Sequence, residues 1–115
     1  DGKLQKHIIR ERKEIKSGIS VKSVVVDNFE ITNLIKKIAS VIPFVGPVNI
    51  QLKRDKWNYQ IIEINPRLSG TSIVCTLAGF NFAEYYYNLY HGVICDTSKP
   101  VSLITVVRYY EEVVI

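Results

Sequence analysis

Between residues 48 and 67 the apolar side chains recur at every second position, and that period restricts this chain more than any other feature of its sequence. Val48, Ile50 and Leu52 alternate with Asn49, Gln51 and Lys53; after a polar turn at Asp55-Lys56-Trp57-Asn58, Ile62 and Ile64 alternate with Glu63, Asn65 and Arg67. A period of two sends successive side chains to opposite faces, which predicts strands over 48–53 and 61–67 joined as a hairpin. A symmetric register about the turn sets Gln51 opposite Glu63. Asn49, Gln51, Glu63, Asn65 and Arg67 then share one face and the isoleucines the other.

Local signals on either side fill in the rest. Residues 4–13 and 19–26 read as strands around Lys16-Ser17-Gly18, with Val21, Val24, Val25 and Val26 supplying β-branched packing. Asp27 and Asn28 offer N-caps, Glu30 completes a D-x-x-E capping box with Asp27, and Ile31, Leu34, Ile35, Ile38 and Ile42 recur at helical spacing until Pro43 and Gly46 end the helix. A short helix is expected over 72–78. Asn81 caps the next one, with Glu84 closing its box and Phe80 and Tyr85 placed as a hydrophobic staple; it runs to Tyr90 and stops at Gly92. Val101 to Val107, or on to Tyr110, gives a last strand. The expected fold is α+β, a mostly antiparallel sheet packed by two or three helices, with 1–115 forming a single domain.

Composition removes several classes. At 47% hydrophobic residues the chain has enough apolar side chain to offset the entropy of ordering a core. Its apolar runs fall well short of the roughly 18 residues that cross a bilayer. Two cysteines, Cys75 and Cys95, without a leader-like segment fit a reduced, cytoplasmic protein better than a disulfide-stapled one. The chain has no methionine and opens at Asp1 within what reads as a strand, so it is taken as a piece of something longer.

The whole net charge of +4 sits near the start. Residues 1–22 carry Lys3, Lys6, Arg10, Arg12, Lys13, Lys16 and Lys22 against Asp1, Glu11 and Glu14, and the remainder balances at eight of each sign. A basic first strand suits a phosphate-bearing ligand, nucleic acid or an anionic membrane, or is simply a solvated face. Six of the seven tyrosines lie at 85–90 and 109–110, apart from these bases, which argues against a stacking platform for single-stranded nucleic acid.

The polar hairpin face is the strongest candidate for chemistry. One carboxylate, several amide oxygens and an arginine suit magnesium–phosphate recognition, since magnesium takes oxygen ligands and is held by one or two carboxylates together with phosphate and water. A wet hairpin face with no function shows the same alternation. Pro66 would fix Arg67, and Ser69-Gly70-Thr71-Ser72 follows with small donors suited to an anion, or as a plain helix cap. Cys75, in the run Ile73-Val74-Cys75, reads as a buried structural thiol, and two histidines with two scattered cysteines make a poor zinc site.

The strings Gly46-Pro47-Val48-Asn49-Ile50-Gln51, Ile62-Glu63-Ile64-Asn65-Pro66-Arg67, Ala78-Gly79-Phe80-Asn81-Phe82-Ala83 and His91-Gly92 resemble the C-terminal half of an ATP-grasp domain, in particular those of the carbamoyl-phosphate synthase large subunit and related carboxylate–amine ligases. The resemblance implies an enzyme that binds ATP with Mg2+ (or Mn2+) and activates a small carboxylate, or bicarbonate, as an acyl phosphate. By position it implies that Gln51, Glu63 and Asn65 are metal ligands and that Arg67 is the catalytic arginine at the transferred phosphoryl group. Asn49 is then a supporting polar residue, Ser17, Gly18 and Ser20 lie beside the nucleotide, and Arg10 and Arg12 contact phosphate or substrate. In carbamoyl-phosphate synthases a second arginine usually stands at the place held here by Gly70, which weakens the case for bicarbonate. The resemblance also implies a partner, the N-terminal ATP-grasp subdomain of the same parent chain, without which this half should be inactive; it allows a homo-oligomer and implies neither nucleic acid nor membrane. The alternative is a non-catalytic interaction or nucleotide-sensing module that retains the fold.

Overall fold

A computed structural model describes residues 3–115; Asp1, where the sequence reads as already extended, lies outside them. Eight elements follow in the order β1 (Ile9–Lys16), β2 (Ile19–Val26), α1 (Phe29–Val41), β3 (Asn49–Arg54), β4 (Tyr59–Asn65), α2 (Ile73–Leu77), α3 (Phe82–Tyr90) and β5 (Thr105–Val107). The class is α+β, and all strand pairing is antiparallel. The strands fall into two sheets, β1-β2-β5 and the hairpin β3-β4, rather than one.

β1 and β2 meet through a two-residue turn in which Ser17 (φ 48°) and Gly18 (φ 76°) are both left-handed, the conformation whose twist matches that of the strands it joins. β1 starts at Ile9, five residues later than expected. The preceding segment is drawn elsewhere, since Lys6 Nζ donates to the carbonyl oxygens of Thr97 (3.0 Å) and Lys99 (2.5 Å) and lies over the Phe80 ring.

The inner face of the larger sheet presents Val21, Ser23 and Val25, and α2 covers it. Val25, Val74 and Ala78 are almost completely buried, with Ile8, Val101, Ile104 and Val106 packed around them. β5 is shorter than the predicted strand from Val101 because the chain there bonds to two elements in turn. Ser102 N–H donates to Ala78 O of α2, and Val25 N–H to Ile104 O, before the β2 ladder begins at Thr105.

Asn28 caps α1, its Oδ1 accepting from Ile31 N–H at 3.0 Å, so the Asp27–Glu30 capping box does not form. Its Nδ2 donates to the Tyr59 hydroxyl at 3.0 Å, tying the start of α1 to β4. Asn81 caps α3 as expected, and the Phe80 and Tyr85 rings of the staple lie 5.6 Å apart.

The β3-β4 turn is tight because Asp55 Oδ1 accepts the N–H groups of both Trp57 and Asn58 at 2.7 Å, so pairing reaches Tyr59 instead of starting at residue 61. Those donors, with the Gln60 amide, hold the Asp55 carboxyl below its ordinary pKa. Gln51 pairs with Glu63, but Leu52 pairs with Ile61, so Ile62 is an inserted bulge residue. Ile62 is 62% exposed and does not belong to the buried face to which the alternation assigns it.

Candidate functional site

β3 and β4 bring four polar side chains to one face. Asn49 pairs directly with Asn65 and Gln51 with Glu63, and direct partners on antiparallel strands point the same way. Gln51 Nε2 donates to Glu63 Oε2 at 2.9 Å. The bulge lies beyond this pair and leaves the four residues in register. Asn65 Nδ2 is buried without a hydrogen-bond partner. An unmet buried donor costs about 1–3 kcal/mol, so this carboxamide is held in place at a cost to stability.

The strand ends at Asn65. Pro66 turns the chain, and Arg67 N–H donates back to Asn65 O at 2.8 Å across a three-residue turn. Arg67 therefore stands just past the ladder rather than on its face as predicted. Its guanidinium is exposed, and Nη1 donates to Leu68 O at 3.0 Å.

Arg10 reaches this region from β1. Its Nη1 donates to Thr71 Oγ1 (2.6 Å) and Ser69 Oγ (3.3 Å), and its Nη2 to Asn49 Oδ1 (3.1 Å). The two hydroxyls also bond one another at 3.0 Å, and Thr71 N–H donates to Ser69 Oγ. No carboxylate meets Arg10; among the described residues ion pairs join only Lys13 to Glu11 and Lys16 to Glu14. Burial lowers the Arg10 pKa, Cys75 opposes that shift, and Arg12 adds to it. Burial raises the pKa of Cys75, so its thiol is protonated at neutral pH and behaves as the structural group the sequence suggests.

A cleft of about 1270 Å³ runs beside the hairpin; Arg10, Arg12, Asn49, Gln51, Arg67, Ser69 and Thr71 line it, whereas Glu63 and Asn65 do not. Ser17 and Gly18 are not brought there. They are exposed at the tip of the β1-β2 turn, roughly 20 Å along the strand from Arg10 at about 3.3 Å per residue. Ser20 is buried and its hydroxyl bonds Ser23 Oγ at 2.9 Å.

Sequence reasoning overlooked Arg108. Just after β5, its N–H donates to Val21 O and its Nη2 to Gly70 O at 2.9 Å, a contact between residues 38 apart that no local pattern signals. Among the described residues no group of three or more His, Cys, Asp or Glu side chains gathers to hold a metal. Within β3 and β4 Glu63 is the one acid, and the polar residues beside it on its face, Asn49, Gln51 and Asn65, carry amides.

An α+β fold of antiparallel sheets and a few helices is consistent with an ATP-grasp subdomain. The chain belongs to the family described as ATP-grasp in the biosynthetic pathway with Ter operon, which matches residues 1–113. No curated protein matches it. Membership makes the fold that of an ATP-binding, ligase-type protein, and ATP-grasp domains bind ATP and carboxylate substrates. Among the described residues no helix is long and apolar enough to cross a membrane.

Proposed function

We propose that this chain is the metal- and phosphate-binding C-terminal half of an ATP-grasp ligase that activates a small carboxylate as an acyl phosphate for attack by an amine, as the carbamoyl-phosphate synthase resemblance implies. The observation that carries this reading is the 2.9 Å Gln51–Glu63 pair, with Asn49 and Asn65 beside it on the same face. One carboxylate and neighbouring amide oxygens fit a magnesium ion that completes its shell with phosphate oxygens and water. Gln51, Glu63 and Asn65 would hold it through oxygen atoms, and a phosphate oxygen could accept from the orphaned Asn65 Nδ2. Held there with the nucleotide, magnesium or manganese would supply charge neutralisation for phosphoryl transfer.

The chain's own residues do the rest by position and charge. Arg67, fixed by the turn at Pro66, offers a planar fork to the transferred phosphoryl group. Arg10 holds Asn49 in place and keeps Nε–H and one Nη2–H for a phosphate oxygen, while Arg12 adds positive potential along the same wall. Ser17 and Gly18, distant from that face, are assigned to the nucleoside end. In the reaction a carboxylate oxygen attacks the γ-phosphorus and the bond to ADP breaks. An amine nitrogen then attacks the acyl carbon, phosphate leaves, and the nitrogen loses a proton to solvent. This half would act with the N-terminal subdomain of its parent chain.

Glu63→Gln in the full-length protein tests the assignment. The variant keeps an amide able to bond Gln51, so the fold should persist while magnesium-dependent ATP turnover falls roughly 100-fold or more. Unchanged turnover would refute the reading. ATP binding without turnover in the unaltered protein would favour a nucleotide sensor instead.

A further inference from the structure

The loop over residues 66–71 is held from both sides by arginines, and only one of them has been given a role. On the β1 side Arg10 donates to the hydroxyls of Ser69 and Thr71. On the β5 side Arg108 donates from Nη2 to the carbonyl oxygen of Gly70, the residue between them. Arg108 and Arg10 also stand on the same face of the sheet: Arg10 is opposite Val25, and Arg108 bonds Val21 O one place beyond the Lys22–Val107 pair. That face carries α2, so the loop entering α2 lies between two guanidiniums, one rooted in β1 and the other just past the end of β5. Neither is paired with a carboxylate among the described residues.

We infer that Arg108 is a positioning residue for the phosphoryl site: it fixes the loop from the β5 side and thereby sets where Arg67 stands. The inference rests on the proposed ligase reading, in which Arg67 meets the transferred phosphoryl group. Among the described residues the Arg67 side chain makes one hydrogen bond, to the adjacent Leu68 carbonyl. Its direction therefore depends on the backbone of the loop. Arg108 grips that backbone through a carbonyl group, which no side-chain change within the loop would remove. The base of Arg108 is in turn fixed by its own N–H on Val21 O at 2.7 Å. The guanidinium is thus a strut between the β2 backbone and the loop, made rigid by its planar fork.

The experiment uses the full-length protein and two probes, Mg·ADP and Mg·ADP with aluminium fluoride, the latter imitating the transferred phosphoryl group. Arg108→Ala should weaken the aluminium fluoride complex about tenfold, the usual scale for a group that orients a ligand-binding residue, and leave Mg·ADP affinity unchanged. Arg108→Lys, which can still donate to Gly70 O, should restore most of the loss. Arg67→Ala should show the same selective loss, and the Arg67→Ala/Arg108→Ala double variant no further loss, because one residue acts through the other. Full additivity in the double variant, or an Arg108→Ala protein whose two affinities both match the unaltered protein, would overturn the inference while leaving the role of Arg67 intact. Equal weakening of both probes by Arg108→Ala, without recovery in Arg108→Lys, would also overturn it, since a merely structural residue behaves that way. Failure of Arg67→Ala to affect the fluoride complex would overturn the ligase reading itself, and this inference with it.

Discussion

Replacing Arg10 by methionine tests whether the two sheets are joined through one guanidinium. Among the described residues, the single hydrogen bond running from the β1-β2-β5 sheet to the β3-β4 hairpin is the one from Arg10 Nη2 to Asn49 Oδ1, and the same group holds the 69–71 loop through Thr71 at 2.6 Å. A hydrogen bond from a charged donor contributes roughly 1.5–3 kcal/mol net, and of these two only the bond to Asn49 ties the hairpin. Desolvation matters here, because burial is the largest influence on the Arg10 pKa and disfavours its charged form. Methionine retains the stem packing and removes that penalty, so the loss felt by the hairpin should lie at the low end, about 1.5 kcal/mol. Since about 1.4 kcal/mol is a factor of ten, amides of β3 and β4 should exchange with solvent about tenfold faster, while those pairing β1 with β2 change little. Hydrogen–deuterium exchange read segment by segment measures both. Hairpin exchange that stays at the original rate would refute the claim that Arg10 is the tie, and uniform acceleration everywhere would show that it serves the core instead.

His7 is pressed toward its neutral form, chiefly by burial and further by the charges of Lys36 and Lys6, with Asp27 opposing, while its Nε2 lies 3.0 Å from Thr32 Oγ1. A histidine with a lowered folded pKa binds more protons when unfolded, so stability is complete above about pH 6.5 and falls as the solution is acidified below it. His7→Gln should flatten that acid limb in urea titrations at stepped pH. Val74→Ala, at a side chain 1% exposed against Val25, should destabilise by about 2–3 kcal/mol, whereas Ile62→Ala, at the exposed bulge, should stay within about 0.5 kcal/mol; thermal melts of the two variants check the contrast.

The sequence makes the Gln51–Glu63 pair legible because a period of two and a short polar turn leave few registers that keep the apolar side chains on one face. It hides the bulge one step further on for an equally physical reason. Ile61 and Ile62 are identical, so the alternation reads the same whichever of them faces inward, and only the Asp55 turn geometry decides. Adjacent residues with the same capping chemistry produce the Asp27/Asn28 ambiguity, resolved by the bond from Ile31 N–H. The arginine contacts were beyond local reading altogether. Arg10 meets partners 39 to 61 residues away and Arg108 one 38 away, distances over which no hydrophobic period or cap carries information.

On the proposed ligase reading, the charge around the hairpin face argues that a divalent cation arrives there together with phosphate, not ahead of it. Glu63 is the one acid on a face of amides, and the adjoining cleft is lined by seven lysines and arginines, among them Arg10, Arg12, Lys53 and Arg67, against the two acids Glu11 and Asp27. By Coulomb's law, two guanidiniums at twice the distance of one carboxylate cancel its interaction energy with a cation. A magnesium–nucleotide complex carries net negative charge, so the same arginines attract it and Glu63 needs only to choose where the metal sits. Titrating Mg2+ calorimetrically into the full-length protein should therefore give weak binding without nucleotide and a clear Glu63-dependent signal with ADP present. Removing metal with a chelator should stop turnover without lowering the melting temperature. Tight Mg2+ binding in the absence of nucleotide, lost in Glu63→Gln, would mean that the acid outweighs its basic surroundings and that the cation binds first.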